Sequence, residues 1–339
     1  MRSATIEDVA RGAGGSIATV SRVLAGNTNV KAATRNRVLA EVARVHYRPS
    51  RVARTLRSQR AATIGLIISD IQNPFFTAMV RAIEDIAYQH NYSLVLCNSD
   101  EDPEKEALYI DLLLAEQVAG IIIACTVEVD VAHQRLHAAQ IPVVAIDRRM
   151  GDYAVDTVLV DSGQASYEVV CHLIEQGHRR IGALIGVPGV TTGRERQEGY
   201  LRALADHNIP FAPELLQAGI PKIETGSAFT AHLLALSDPP TALFTGNNLL
   251  TIGALRTIHE AGLRIPQDIA IVAFDEMEWM FLMQPPLTVV AQPTYEMGQK
   301  AAERLLLRLA NPDLPPIEII LPPTIHIRGS SQYMIECKS

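Results

Sequence analysis

Cysteine is scarce in this chain: four residues among 339, at positions 97, 125, 171 and 337, none in a CxxC pair and most inside apolar runs. Buried, reduced thiols are expected, and neither a disulfide scaffold nor a cysteine zinc site fits. Long apolar runs are also missing, the longest reaching only about eight residues, and the opening MRSATIEDVA has no apolar leader segment. The sequence therefore predicts no membrane span and no export, and a cytoplasmic location. GxSxG, Walker and post-strand GxGxxG motifs are absent; Gly12, Gly14 and Gly15 precede every strand-like run, so they do not read as a phosphate cradle. His133 and His137 are four apart but lack the glutamate of an HExxH motif, and they read as a solvated helix face. The expectation is a protein without catalytic residues, cofactor or metal, and not an enzyme.

What is present is 48% hydrophobic and 20% charged residues, enough for more than one core. The net charge of −7 conceals a split. Residues 1–61 hold twelve Lys and Arg against three Asp and Glu, a surplus of +9, which leaves −16 for the rest. A basic end on an acidic body points to a polyanion partner met through that end.

The basic end has the pattern of a compact helical domain. Thr5 opens a short helix with Glu7 and Asp8 in its first turn and Ile6, Val9 and Ala10 on one face. The glycines at 12, 14 and 15 break it. Ser16 caps a second helix that turns Val20, Val23 and Leu24 inward and leaves Ile17, Ala18, Ser21 and Arg22 outward. A third helix, about Ala32 to Val45, closes the core with Val38, Val42 and Val45, and Pro49 ends it. Two short helices about a glycine turn fit a helix-turn-helix. Its outward face suits a reader of duplex DNA: Ile17 and Ala18 for thymine methyls and base edges, Arg22 for guanine or phosphate, Thr19 and Ser21 for phosphate oxygens.

From Thr63 the pattern changes to short apolar runs separated by helical stretches: TIGLIIS, SLVLCN, GIIIA, PVVAID, TVLVD, RIGALIG, ALFT, DIAIVAFD and LTVVAQ. Nine such runs predict βα units and parallel sheets buried on both faces. Breaks near Asp161 and Gln292 suggest two lobes exchanging the chain. Ligands of such folds bind at the carboxyl ends of strands, and those ends are polar here: Ser69 and Asp70 followed by Asn73, Phe75 and Phe76; Asp147 and Arg148; Asn247 and Asn248; Asp275 and Glu276; Gln292. Carboxylates, amides and a guanidinium beside phenyl rings suit a monosaccharide, whose hydroxyls need donors and acceptors while its C–H faces stack on rings.

The runs TIEDVARGAGGSIATVSRVLAG and TRNRVLAEVARVHYRPSRVARTLRS resemble the head and hinge of the lactose-repressor (LacI/GalR) family of bacterial transcription regulators, and the resemblance extends over essentially the whole chain. It implies a small all-α helix-turn-helix head at 1–48, a hinge helix and linker at 49–61, and an α/β periplasmic-binding-protein-like core at 62–339 made of two doubly wound parallel-sheet lobes, one about 62–161 with 292–323, the other about 162–291 with 324–339. It implies Ile17, Ala18 and Arg22 in the major groove, with Thr5, Ser16, Thr19, Ser21, Asn29 and Tyr47 among the DNA contacts. It further implies a hinge with Arg51, Val52, Ala53, Arg54 and Leu56, in which Leu56 wedges into the minor groove. In the core it implies a sugar or sugar-acid effector held by Asn73, Phe75, Phe76, Asp147, Arg148, Arg196, Asn247, Asp275 and Gln292.

Three positions depart from the residues usual in that family. Gly15 and Ser50 replace the usual valine and asparagine, and the first should loosen the turn between the reading helices. Asn247-Asn248 stands where Asn-Asp is usual, and the missing carboxylate is read as a helix cap rather than a ligand contact. Trp279, the single tryptophan, either stacks on the ligand or anchors its loop. Only the eleven residues GSSQYMIECKS follow the strand-like 324–328 segment, too few for the leucine-heptad bundle of tetrameric members, so a homodimer on operator DNA is expected. A transport binding protein or, further off, a sugar-acting enzyme are the alternative readings.

Overall fold

The computed structural model describes residues 4–24, 29–47 and 63–332. The hinge assignments at Arg51, Val52, Ala53, Arg54 and Leu56 fall outside the described residues, as do Ser50 and Cys337. The chain divides into two compact units, Met1–Ala61 and Ala62–Ser339.

In the first unit, three helices surround one small core: α1 (Ile6–Gly12), α2 (Ile17–Leu24) and α3 (Ala32–Arg44). Thr5 caps α1 in a reciprocal box with Asp8, whose carboxylate accepts the Thr5 N–H at 2.9 Å while the Thr5 hydroxyl accepts the Asp8 N–H at 3.3 Å. Ser16 caps α2 by accepting the Thr19 N–H at 3.1 Å. Between them the turn needs φ +61° at Gly14, where a side chain would be strained. Gly15 has an ordinary φ, and a Cβ there would meet nothing nearer than Thr19 at 3.9 Å. The structure therefore shows no steric demand for glycine at 15. Val9, Val20 and Val23 are buried against Val38, with Leu24, Val42, Val45 and Tyr47 packed around them.

The second unit holds two six-stranded sheets. The first sheet has the order β11-β5-β4-β3-β1-β2 and comprises β1 (Thr63–Ile68), β2 (Ser93–Asn98), β3 (Gly120–Ile123), β4 (Val143–Ile146), β5 (Asp156–Val160) and β11 (Glu318–Leu321). The second repeats the pattern as β12-β10-β9-β8-β6-β7, with β6 (Ile181–Ile185), β7 (Leu216–Ala218), β8 (Ala242–Thr245), β9 (Ala270–Phe274), β10 (Thr288–Ala291) and β12 (Thr324–His326). Nine strands coincide with the apolar runs of the sequence. Leu216–Ala218 and Glu318–Leu321 are edge strands that those runs did not disclose, and β12 runs antiparallel to β10, so the second sheet is not wholly parallel.

Alternation of side chains gives each sheet two apolar faces. In the first, Ile64, Leu66 and Ile68 face α4 (Pro74–Gln89) and α12 (Thr294–Ala310). Ile67, Ile121 and Ile123 face the opposite side, with α5 (Pro103–Ala115) and α6 (Val131–Ala138). The second sheet is covered by α7 (Ser162–Glu175) and α8 (Thr191–Asp206) on one face and α9 (Ile223–Leu234) and α10 (Asn248–Glu260) on the other, with α11 (Glu278–Leu282) beside it. The chain passes between the sheets after β5, after β10 and between β11 and β12. Asp156 anchors these returning segments: wholly buried, it accepts hydrogen bonds from Arg304 at 2.8 Å, Arg308 at 2.5 Å and the Ile317 N–H at 2.9 Å.

Of the two histidines on α6, His137 is exposed as expected, but His133 corrects the sequence reading. His133 is wholly buried, not solvated, and its Nε2 lies 2.8 Å from Glu106 Oε1, while Glu106 Oε2 accepts the Thr126 N–H at 2.7 Å. Its partner comes from another helix, 27 positions away, which the spacing of the histidines does not reveal. Cys97 and Cys125 are buried free thiols and Cys171 is half-buried.

Candidate functional site

On the head, α2 presents Ile17, Ala18 and Arg22 outward, and Ile17 is 42% exposed although apolar. Asn29 is exposed, whereas Thr19, Ser21 and Tyr47 are half-buried. The Thr5 and Ser16 hydroxyls both act in helix caps.

In the second unit the carboxyl ends of both sheets open into one narrow, polar cavity. Nine of the ten core residues predicted from sequence line it: Asn73, Phe75, Phe76, Asp147, Arg148, Arg196, Asn247, Asp275 and Gln292. Trp279 does not line this cavity. It sits in the short helix α11 rather than in a loop, and packs against the apolar cluster under β9 and β10. The cap after β8 also differs from the reading: Asn247 does the capping, accepting the Leu249 N–H at 2.8 Å, and Asn248 is wholly buried and reaches across to Asn73 with an Nδ2–Oδ1 distance of 2.8 Å.

The two lobes offer the cavity equivalent carboxylates. Asp147 follows β4 with φ +67° and donates its N–H to Val158 at 2.9 Å; Asp275 follows β9 with φ +70° and donates its N–H to Val290 at 3.0 Å. The left-handed turn bends each strand end so that its carboxylate is buried. Burial pushes the Asp147 carboxyl up to about 6 despite Arg148 and Arg196. It likewise raises Asp275 against the pull of Arg196.

Two guanidinium groups complete the polar wall. Arg148 makes a two-pronged pair with Glu101, at 2.6 and 2.8 Å, and donates to the Cys125 carbonyl at 2.9 Å. Burial works against its charge, but Glu101 and Asp147 more than compensate and its pKa is raised. Arg196 lies over the Phe274 ring at 3.8 Å and donates to the Gly246 carbonyl at 2.6 Å; burial lowers its pKa although Asp275 and Asp147 oppose this. Phe75 and Phe76 stand edge to face, 5.1 Å apart, on the first-lobe side. Within this wall Arg148 Nε, Arg196 Nε and Gln292 Oε1 are buried without a hydrogen-bond partner. Native interiors rarely leave such groups unpaired, so the cavity has donors and an acceptor available to a ligand.

Sequence reasoning missed several cavity residues, among them Glu101, Val187 and Thr192. It also missed the polar ties across the cleft. Lys222 of the second lobe reaches Asp70 at 2.7 Å and Asp100 at 2.6 Å, Arg149 reaches Glu195 at 2.6 Å, and Arg194 reaches Glu128 at 2.8 Å. Only Asp70, at a strand end, carried a signal in the sequence. Among the described residues no helix is long and apolar enough to cross a membrane, and no His, Cys, Asp and Glu cluster is arranged to hold a metal ion.

A helix-turn-helix unit joined to a two-lobed α/β core with a polar interlobe cavity is the architecture of a ligand-responsive DNA-binding regulator. Residues 5–50 match the model for bacterial regulatory proteins of the lacI family, and residues 61–316 match that for periplasmic binding proteins and the sugar binding domain of the LacI family. The chain belongs to the LacI family of transcriptional repressors. It is similar to catabolite control protein A of Priestia megaterium, 35% identical over 97% of this chain and 99% of that protein. It is also similar to the transcriptional repressor PurR of Mannheimia succiniciproducens, 32% identical over 96% and 98%. Among solved structures, the Lac repressor dimer bound to operator and an anti-inducer matches with a TM-score of 0.83 and 28% identity, covering 98% of this chain and all of that one. An Enterococcus faecium LacI family regulator with bound ribose matches with a TM-score of 0.71 and 33% identity, covering 80% and 98%.

Proposed function

We propose that this repressor works as a homodimer on a near-palindromic operator and that a sugar or sugar acid bound between its lobes sets its affinity for DNA. The observation that carries the effector assignment is the interlobe cavity, in which Arg196 Nε and Gln292 Oε1 are buried without a hydrogen-bond partner among carboxylates beside Phe75 and Phe76. A saccharide supplies the hydroxyls such groups lack and a C–H face for the rings. The ribose bound by the E. faecium relative supports that class. In the head, Ile17, Ala18 and Arg22 are the proposed base readers, with Thr5, Ser16, Thr19, Ser21, Asn29 and Tyr47 nearer the phosphates. The proposed hinge spans 49–61, with Arg51, Ala53 and Arg54 among its DNA contacts and Leu56 wedged into the minor groove. The proposed lobes follow the two sheets, about 62–161 with 292–323 and about 162–291 with 324–339.

A ligand that binds one lobe arrangement better than the other shifts the population toward it, and by linkage it changes operator affinity by the same factor by which operator changes ligand affinity. No chemical turnover is proposed; the ligand leaves unchanged. Melting curves with D-ribose, D-glucose, D-galactose and their aldonic acids, paired with operator retardation by the same protein, test the reading. A saccharide should raise the melting temperature and change operator affinity. Stabilisation by none of them, with a purine base stabilising instead, would refute the effector class.

A further inference from the structure

One carboxylate of the cavity wall, Glu101, comes from a turn rather than a strand end. After β2 the chain takes two consecutive left-handed residues, Asp100 with φ +57° and Glu101 with φ +59°. That conformation is costly for residues with a side chain and persists only where surrounding contacts hold it. Here both residues make ionic contacts. Asp100 holds Lys222 of the opposite lobe at 2.6 Å, and Glu101 lines the cavity and grips Arg148 through two hydrogen bonds. The Arg148 and Glu101 side chains are only 7% and 6% exposed, so the pair is strong and Arg148 is not available as an unneutralised cation.

The rest of the wall follows the same balance. Arg196, the other lining guanidinium, lies in the field of Asp275 and Asp147, while its direct contacts are the Gly246 carbonyl and the Phe274 ring. The lining carboxylates are Asp70, Glu101, Asp147 and Asp275, and Lys222 adds its charge beside Asp70. Acidic groups thus equal or outnumber basic ones around the ligand. A carboxylate or phosphate entering this space loses its water and meets four lining carboxylates, with the Arg148 charge already taken by Glu101, whereas an uncharged polyol can still receive from Arg196 Nε and donate to Gln292 Oε1.

We infer that Glu101 is a specificity-determining residue: by neutralising Arg148 it makes the interlobe cavity a site for uncharged sugars and closes it to the corresponding sugar acids and sugar phosphates. This rests on the proposed saccharide reading and narrows it. In Glu101→Gln, the Arg148 guanidinium keeps one acceptor but loses its counter-charge, leaving a cation for an acid to use.

The experiment is isothermal titration and thermal shift with D-glucose, D-galactose and D-ribose against D-gluconate, D-galactonate, D-ribonate and D-glucose 6-phosphate, on wild type, Glu101→Gln and the charge-keeping Glu101→Asp. Wild type should bind at least one neutral sugar and none of the acids at equal concentration. Glu101→Gln should bind an acid about ten- to a hundredfold more tightly than wild type does, the worth of one charge-assisted contact, and Glu101→Asp should restore the exclusion. Unliganded melting curves of all three proteins confirm that each is folded. If Glu101→Gln fails to fold, the wild-type comparison of each sugar with its acid decides alone. An acid bound by wild type as tightly as its parent sugar overturns this inference while leaving the saccharide reading intact; a purine base bound in place of every saccharide overturns both.

Discussion

Asp275→Ala tests how far effector affinity depends on the buried carboxylate of the second lobe. Asp275 accepts from Gln292 Nε2 at 2.6 Å and from the Asn248 N–H at 3.2 Å, and it faces Arg196. Its removal strands these groups in a site that water barely enters. It also takes away an acceptor that a ligand hydroxyl would use, and a hydrogen bond to a charged group contributes about 1.5–3 kcal/mol. The effector Kd should therefore rise about tenfold to 150-fold. At an effector concentration about a hundred times the wild-type Kd, ligand stabilises the native state by about 2.7 kcal/mol. The variant at the same concentration should gain only about 0.3–1.4 kcal/mol, so most of the thermal shift disappears. Operator affinity without effector should stay within a fewfold of wild type, because this carboxylate belongs to the unit that begins after Ala61. The assay is a thermal-shift titration with operator binding followed by fluorescence anisotropy. A dose response superimposable on wild type would show that Asp275 does not contact the ligand.

Arg22→Ala should weaken operator binding by about 1–3 kcal/mol and lower discrimination against altered sites if the contact is to guanine; retardation assays that show equal losses on operator and unrelated duplex would instead make it a phosphate contact. Operator affinity should also fall steeply with salt, since the surplus of +9 in residues 1–61 releases counterions on binding, and a flat salt dependence of the anisotropy signal would contradict this. Asp156→Ala should destabilise the core by about 3–5 kcal/mol in urea denaturation, because Arg304 and Arg308 lose a wholly buried partner; a loss below about 1 kcal/mol would show the cluster to be dispensable. Burial pushes the Asp156 carboxyl up, but hydrogen bonds from Arg308, the Ile317 N–H and Arg304 outweigh it and hold it below the usual carboxylate value. Its contribution is thus complete above the unfolded value near pH 4 and is lost as pH falls through the folded one, so the gap between wild type and variant should narrow in acid. Gly199→Ala should loosen the close packing of α7 on α8, where a Cβ would stand 2.3 Å from the Gly163 carbonyl oxygen, and a lower melting temperature checks it.

Much of this protein is written locally. Thr5 with Asp8 and Ser16 before Ile17 each mark a helix start that the structure shows capped as the chemistry requires. Apolar runs of strand length mark nine of the twelve strands, since a buried parallel strand has to be apolar on both faces. The charge division at residue 61 coincides with the boundary between the two compact units. Polar residues at strand ends could be read as one site because parallel strands must all end on the same side of a sheet, whatever their order.

Tertiary structure decided what depends on distant partners or on the sign of a single φ. Nothing near Glu101 announces that a left-handed turn aims it at Arg148, 47 positions away, nor that Lys222 joins Asp70 across 152 positions. His133 read as solvated because its own helix offers no partner, yet Glu106 of α5 buries it. Trp279 could stack on a ligand or anchor a loop with equal sense in sequence, and the apolar cluster beneath β9 and β10 took it. Caps, periodicity and charge act over a few residues and are legible in one dimension. Cavity walls and ion pairs are set by which strands become neighbours, and that is fixed only when the whole sheet order has formed.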